Sequence, residues 1–213
     1  MSGNQSPEGL ARVLRDAGIG DERLLQAVRT TPRAAFVPAG QEAVAYHDEP
    51  VPIAHGLVTT QPSLSALMIE GLCLGGDEHV LEVGTGLGFQ TALLARLAGD
   101  VVSVEMWPDL AQQARRNLDR QGIRTVDVRT GDGSCGVPEC APYDAVLVSA
   151  AFPEVPAPLV GQLRDGGRLV QPIGPGGRER VVAFRRTGGG LESVRVLTDA
   201  RFVRLHGRYG YPS

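Results

Sequence analysis

The chain has 213 residues, 42% hydrophobic and 21% charged, with a formal net charge of −3. This size and balance fit one globular domain with a sizeable core, and they give no reason to expect a nucleic-acid partner, which shows as a basic excess. All 21 basic residues are arginine, so a P-loop lysine and a Schiff-base lysine are both excluded.

The cysteines Cys73, Cys135 and Cys140 are odd in number and lack metal-ligand spacing, and read as buried or idle thiols of a reducing cytosol. No metal site is expected. The N-terminal "MSGNQSPEGLARVLRDAG" carries charges where a signal peptide needs its apolar stretch. No segment approaches the roughly 18 apolar residues of a membrane span. The expectation is a cytoplasmic protein without membrane contact.

In chain order, residues 7 to 30 predict two short helices. "PEGLARVLRDAG" opens with Pro7 and Glu8, keeps apolar residues at helical spacing and ends at Gly18. "DERLLQAVRTTP" starts from Asp21 as N-cap and stops before Pro32. From Phe36 to Pro62, prolines and scattered polar residues break either period, yet the stretch is too apolar for a free linker. It predicts a lid or substrate wall lying against the body.

Past Pro62 the pattern is regular. "SLSALMIEGLCL" predicts a helix leading into the strand "HVLEV". There follow helix 88–98, strand 101–105, helix 108–120, strands 125–130 and 143–149, helix 156–164 and strand 167–173. Apolar runs alternating with amphipathic helices predict a doubly wound α/β sheet covered on both faces. After residue 178, "RERVVAFRR", "LESVRVL" and "ARFVRL" follow without helices and predict two or three antiparallel strands at or near one sheet edge. The organisation expected is one domain, 1–213, divided into N-terminal helices and loop (1–62), α/β core (63–178) and closing strands (179–213).

The stretch "HVLEVGTGLGFQT" carries the chemistry. Its apolar run stops at Glu82, and Gly84, Gly86 and Gly88 follow at alternate positions before a helix. A tight connection alone accounts for glycines in such a turn. Its place after the first strand of the α/β region favours a ligand, because the carboxyl ends of these strands form the ligand crevice. A dinucleotide fingerprint requires its third glycine where this chain has Phe89. Glu82 is awkward beside a phosphate and suits a cation or an amino group. Glu105 ends the next strand, 21 residues after Gly84, and reads either as an acceptor for both ribose hydroxyls or as a solvated strand-end acid. Asp132 in "TGDG" reads as an acceptor for an adenine amino group or as an Asx turn. Together these features describe a nucleoside site without a phosphate clamp, and the ligand that fits is S-adenosylmethionine. A nucleotide sensor would use the same pocket without chemistry; Phe89 speaks against a dehydrogenase.

The stretches "LEVGTGLGFQTALLARL", "GDG", "YDAVLVSAAFPEVPAPLVGQLRDGGRLVQPIG", "RFVRL" and "FVPAGQEAVAYHDEPVPIAHGLVTTQP" resemble the protein-L-isoaspartate O-methyltransferases, from about residue 10 to about 207. The resemblance implies a Rossmann-like S-adenosylmethionine-dependent methyltransferase sheet whose closing strands have an unusual order. It also implies methyl transfer to the α-carboxylate of L-isoaspartyl residues in damaged proteins and peptides, with repair through a methyl ester and a succinimide. Carried onto this chain, the cofactor positions are Leu57, Val58, Thr59, Thr60, Gly84, Thr85, Gly86, Leu87, Gly88, Glu105, Met106, Asp132, Gly133 and His206, to which the reading of the turn adds Glu82. The substrate positions are Tyr46, Asp48, Ile53, Val58 and Thr60, with Thr60 catalytic. The family usually carries Ser at the place of Thr60, and often "I-G-x-G-Q" where this chain reads Ile53 to Leu57. Related enzymes methylate a normal aspartate in one dedicated ribosomal peptide, which is the alternative reading.

A carboxylate is already an ionised nucleophile near neutral pH, so no general base is required. Thr60 is expected to hold one carboxylate oxygen, aided by amides between Val58 and Gln61; an ST turn before Pro62 is the other reading of its hydroxyl. Asp48 looks more like an acid bonding loop amides than a base. His79 begins a strand, and His47 and His55 lack metal-ligand spacing.

Overall fold

The computed structural model describes residues 5–175 and 177–212. Seven strands, β1 (His79–Val83), β2 (Asp100–Glu105), β3 (Val126–Thr130), β4 (Tyr143–Val148), β5 (Leu163–Ile173), β6 (Glu179–Thr187) and β7 (Gly190–Ala200), form one sheet. Their spatial order is β3-β2-β1-β4-β5-β6-β7. The pairings through β5 are parallel and the last two antiparallel. The closing strands therefore extend one edge, as their helix-free sequence predicts. The order reverses between β1 and β4, and a doubly wound sheet opens its ligand crevice at such a point, outside the carboxyl ends of the strands.

Among the described residues six α-helices accompany the sheet, besides short 3-10 turns: α1 (Pro7–Asp16), α2 (Glu22–Arg29), α3 (Pro62–Gly71), α4 (Phe89–Leu94), α5 (Pro108–Arg120) and α6 (Ala157–Gln162). The period of two divides each strand between two cores. Val80, Val101 and Leu147 pack with the leucines of α1, α2 and α4. Leu81, Val102 and Val146 pack on the other face with Leu159 of α6 and Val137. Helix starts follow local chemistry: Ser6 Oγ accepts from the Gly9 amide at 3.0 Å, and Asp21 from the amides of Arg23 and Leu24 at 2.8 and 3.2 Å. No helix among the described residues is long and apolar enough to cross a membrane.

Several boundaries differ from the sequence expectation. The helix expected over 88–98 ends at Leu94, because Arg96 and Leu97 donate to carbonyls three residues back and tighten the last turn. Helix α6 stops at Gln162, whose side chain bridges the Cys135 carbonyl and the Val137 amide, both at 2.8 Å. The segment "ARFVRL" adds no strand to the sheet. It crosses the carboxyl end of β4, where Ala151 donates to Val203 and accepts from Leu205, both at 2.8 Å. The three cysteines are free, but none is buried.

The loop from Ala45 to Thr60 gets its shape from a residue that the sequence does not single out. Arg33 is fully buried. Its guanidinium donates to the carbonyls of Ala45, His47 and Glu49 and to Thr59 Oγ1, at 2.9 to 3.1 Å. Burial lowers its pKa to about 10, against the field of Asp48, so it stays charged at neutral pH. Thr59 Oγ1 also accepts from the Val51 amide at 3.0 Å, closing a small hairpin over 51–59. Arg33→Met leaves three loop carbonyls without their charged donor and should lower unfolding stability by about 3 kcal/mol or more. Urea denaturation measures this, and an unchanged midpoint would show that the loop holds its shape without the cation.

Candidate active site at the carboxyl ends of β1, β2 and β4

Three connected cavities lie along this edge. The largest, of about 600 Å³, is a groove between the hairpin loop, α3 and the returning segment, bordered by Thr60, Gln61, Leu64, Ser149 and Phe202. The second, of about 480 Å³, is bordered by His55, Glu105, Met106, Trp107, Gly133 and His206. Between them a small recess of about 90 Å³ meets the glycine turn, where Thr60, Gly84, Gly88, Gln90 and Glu105 converge. Among the described residues no group of His, Cys, Asp and Glu is arranged to hold a metal ion.

Backbone demands explain two of the glycines. Gly84 has φ of 98°, and a Cβ there would stand 3.3 Å from Ser149 Cβ. A Cβ on Gly133 would meet Val83 Cγ1 at 2.4 Å, so only glycine lets this backbone close against β1.

Glu105 faces the recess and the second cavity. One carboxylate oxygen accepts from the Gly86 amide at 2.8 Å and the other from Trp107 at 3.1 Å. Burial pushes its carboxyl up, opposed by these amides and that of Met106. His55 stacks on Trp107 with ring centroids 3.8 Å apart and donates to Asp109 at 2.9 Å, closing the loop over this cavity. Leu57 borders the recess and the second cavity, and Val58 and Thr59 border the recess and the groove. Ile53, Thr85, Gly86 and Leu87 border the recess.

Four residues from the cofactor and substrate positions are engaged away from the cavities, Asp132 as the Asx turn and Asp48 as the amide-bonding acid that were their other readings. Glu82 is wholly buried beneath the turn, accepting from Thr91 and Ser103 at 2.5 and 2.6 Å and from Gln90 at 3.1 Å. It shapes the turn and borders none of the three cavities, because the period of two points it under α4. Asp132 closes the Asx turn: one oxygen accepts from the Ser134 amide at 2.9 Å, the other from the Arg208 amide at 2.7 Å. Desolvation raises its carboxyl, but the Arg208 and Ser134 bonds outweigh this and hold it below the usual range. Its neighbour Gly133, not Asp132, lines the cavity. Asp48 caps α3 through the Ser63 amide at 2.8 Å and holds Gln61 at 2.9 Å. Tyr46 packs against the buried core and borders none of the three cavities.

Sequence reasoning missed Trp107, Gln90, Ser149 and Val203. Trp107 carried a signal, an aromatic side chain just past a strand end. For the others the signal lies in tertiary contacts.

The family model for protein-L-isoaspartate (D-aspartate) O-methyltransferase matches residues 5–210. The chain is 48% identical over 198 residues to a protein-L-isoaspartate O-methyltransferase of Methanoculleus marisnigri, spanning 93% of this chain and 90% of that one. It is 50% identical over 198 residues to one of Anaeromyxobacter dehalogenans, spanning 92% and 95%. A solved protein-L-isoaspartate O-methyltransferase superposes with a TM-score of 0.86 at 31% identity, over 96% of this chain and 67% of that one. A Plasmodium falciparum protein solved with S-adenosyl-L-homocysteine shares the fold, with a TM-score of 0.79 at 22% identity over 94% and 98% of the two chains.

Burial raises the Glu82 carboxyl to about 7, against the hydrogen bonds of Ser103, Thr91 and Gln90. Folded protein then holds a proton that the unfolded chain releases near its ordinary pKa of about 4.3. The associated stability is full below that value and is lost as pH rises through about 7. Relative to Glu82→Gln, the wild type should therefore lose about 2–3 kcal/mol between pH 5 and pH 8. Urea unfolding of both proteins across this window measures it; a difference that does not vary with pH counts against a buried ionisable carboxyl.

Proposed function

We infer that this chain, which belongs to the protein-L-isoaspartate (D-aspartate) O-methyltransferase family, transfers a methyl group from S-adenosylmethionine to the free α-carboxylate of L-isoaspartyl residues in damaged proteins and peptides. The ester closes to a succinimide, whose hydrolysis returns some normal aspartate. One observation carries the reading for this chain. Thr60 borders both the recess at the glycine turn and the long groove, where a methyl donor and a peptide carboxylate must meet. Thr59 Oγ1 accepts from the Arg33 guanidinium and the Val51 amide and is fixed by them, while the hydroxyl of Thr60 makes no hydrogen bond among the described residues.

The residues present fit the cofactor. Gln90 Oε1 is buried without a partner and suits an ammonium donor. The carboxylate of Glu105, fixed by two amides, keeps acceptor capacity for a ribose diol. Trp107 and His55 offer an aromatic wall beside it, with Met106, Gly133 and His206 around the same cavity. S-adenosylmethionine supplies the electrophilic methyl group on a sulfonium. The chain contributes position: Thr60 donates to one oxygen of the carboxylate, which leaves the other free to attack. In-line placement of an ionised nucleophile is worth about 7–11 kcal/mol in favourable cases, and no base is required.

The groove suits a broad range of peptide substrates. Its charged borders are Asp199 and Arg201, and Asp199 is held by Arg178 at 2.9 Å. Flanking side chains thus meet few charges, as a repair enzyme requires.

The test is methylation with labelled donor of several unrelated isoaspartyl peptides beside their aspartyl twins. The isoaspartyl peptides should react with similar efficiency and the twins hardly at all; the opposite preference overturns the repair reading. Thr60→Ala should lower turnover while cofactor affinity changes little, and Thr60→Ser should stay active. A Ser variant as inactive as Ala would assign Thr60 to packing. Glu105→Ala should weaken S-adenosylmethionine binding by about 1.5–3 kcal/mol, the loss typical of hydrogen bonds to a charged group. Unchanged calorimetric affinity in a folded variant would remove Glu105 from the site.

A further inference from the structure

Ser149 follows β4 directly and is wedged between the two backbones that build the site. Its amide donates to the Val83 carbonyl at 2.9 Å, continuing the β1–β4 ladder. Gly84 packs against it on one side. Two residues on, Ala151 ties down the returning segment through Val203 and Leu205. Among the described residues Ser149 is the one polar side chain that borders the groove, the recess and the second cavity.

Its hydroxyl is oriented by a chain of bonds that starts in the core. Ser103 and Thr91 donate to one oxygen of Glu82, and Gln90 Nε2 donates to the other at 3.1 Å. The second hydrogen of Nε2 goes to Ser149 Oγ at 2.7 Å. Both amide hydrogens are used, which fixes the direction of the Gln90 amide. Ser149 Oγ therefore accepts from Gln90, and its own hydrogen has no acceptor among the described residues. Thr60, also at the recess, is in the same state.

We propose that Ser149 is a second hydroxyl donor to the substrate carboxylate, acting with Thr60, and that Gln90 is its positioning residue. The proposal rests on the methyltransferase reading above. The hydroxyl hydrogens of Ser149 and Thr60 meet at one junction without acceptors and complement an anion with oxygen acceptors, whereas the neighbouring Thr59 has its oxygen fixed by the Arg33 guanidinium and the Val51 amide. Among the described residues no arginine borders the recess, so the protein meets the nucleophile there with neutral donors rather than a cationic side chain. A paired cation would hold the carboxylate's charge most strongly in the ground state and so oppose its attack, whereas hydroxyls orient it at less cost. Gln90 Oε1 repels a carboxylate and leaves the Ser149 side as the place for it.

The test uses the full chain with Ser149→Ala, Ser149→Thr and Gln90→Leu, and Ser149→Gly if the alanine variant does not fold. Steady-state methylation of an isoaspartyl peptide, calorimetry with S-adenosylhomocysteine and thermal melting are measured for each. Ser149→Ala should lower kcat/KM by about 10- to 100-fold, the range for a hydrogen bond to a charged group. Its affinity for S-adenosylhomocysteine should stay within about twofold of wild type. Ser149→Thr should recover most of the activity. Gln90→Leu also removes the acceptor offered to the cofactor's ammonium, so its effect is read as turnover at saturating S-adenosylmethionine, where it should slow the wild type but add little in the Ser149→Ala background, since a positioning residue acts through its partner. Unchanged kcat/KM, a parallel loss of S-adenosylhomocysteine affinity, additive Gln90 and Ser149 effects, or a threonine variant as impaired as alanine would each overturn the proposal. Wild-type turnover tests the function separately, and the variant ratios are read on whichever carboxylate peptide the wild type methylates. Turnover of neither an isoaspartyl nor an aspartyl peptide would overturn both.

Discussion

A buried cation organises the open side of this protein. The guanidinium of Arg33 sits in the core beside Phe89 and gathers three successive stretches of one loop through their carbonyls. A charge so placed is costly to desolvate, and the lowered pKa of about 10 records that cost. Carbonyl dipoles and the field of Asp48 offset it, so the loop must keep the one shape that aims those oxygens inward. The same cation holds Thr59, and with Thr59 locked its neighbour Thr60 faces the junction of recess and groove. A residue with no contact to either cavity thus decides where a hydroxyl stands.

A buried acid does the corresponding work from below. Glu82 lies within the sheet, and its oxygens hold the first turn of α4 and the side chain of Ser103. Thr85 bonds Ser103 at 2.6 Å, which extends the network into the glycine turn itself. The turn's glycines give the backbone its left-handed geometry, and this polar cluster keeps that geometry from relaxing. The acid's effect at the surface passes through Gln90 to Ser149.

Between these anchors the site consists of pieces remote in sequence: the hairpin loop, the glycine turn, the end of β2, the residue after β4 and the segment that returns from β7. The reaction needs no proton acceptor from them, because the nucleophile arrives ionised. The architecture puts its free energy into placement instead. That division suits a groove with few charges on its walls and the function proposed above.

Local chemistry let the sequence determine a good deal. The strand His79–Val83 and the helix Pro108–Arg120 fall where their apolar periods put them, and Asp21 caps α2 as its position before an amphipathic run requires. The alternating glycines marked the turn, and the sheet class followed from the alternation of strands with helices. These features depend on residues within a few positions of one another, so they are legible in one dimension. Tertiary structure decided the rest. Glu82 and Asp132 look alike in sequence as acids beside glycines, yet one is enclosed under α4 and the other is satisfied by the amide of Arg208, 76 residues away. Arg33 is one arginine among 21 until the fold surrounds it with carbonyls. Ser149 gains its place only because β4 lies beside β1 and because the chain beyond β7 crosses back over the sheet. Burial and the identity of a hydrogen-bond partner are properties of the packed chain, and a single polar residue in a sequence does not announce which of its neighbours in space will claim it.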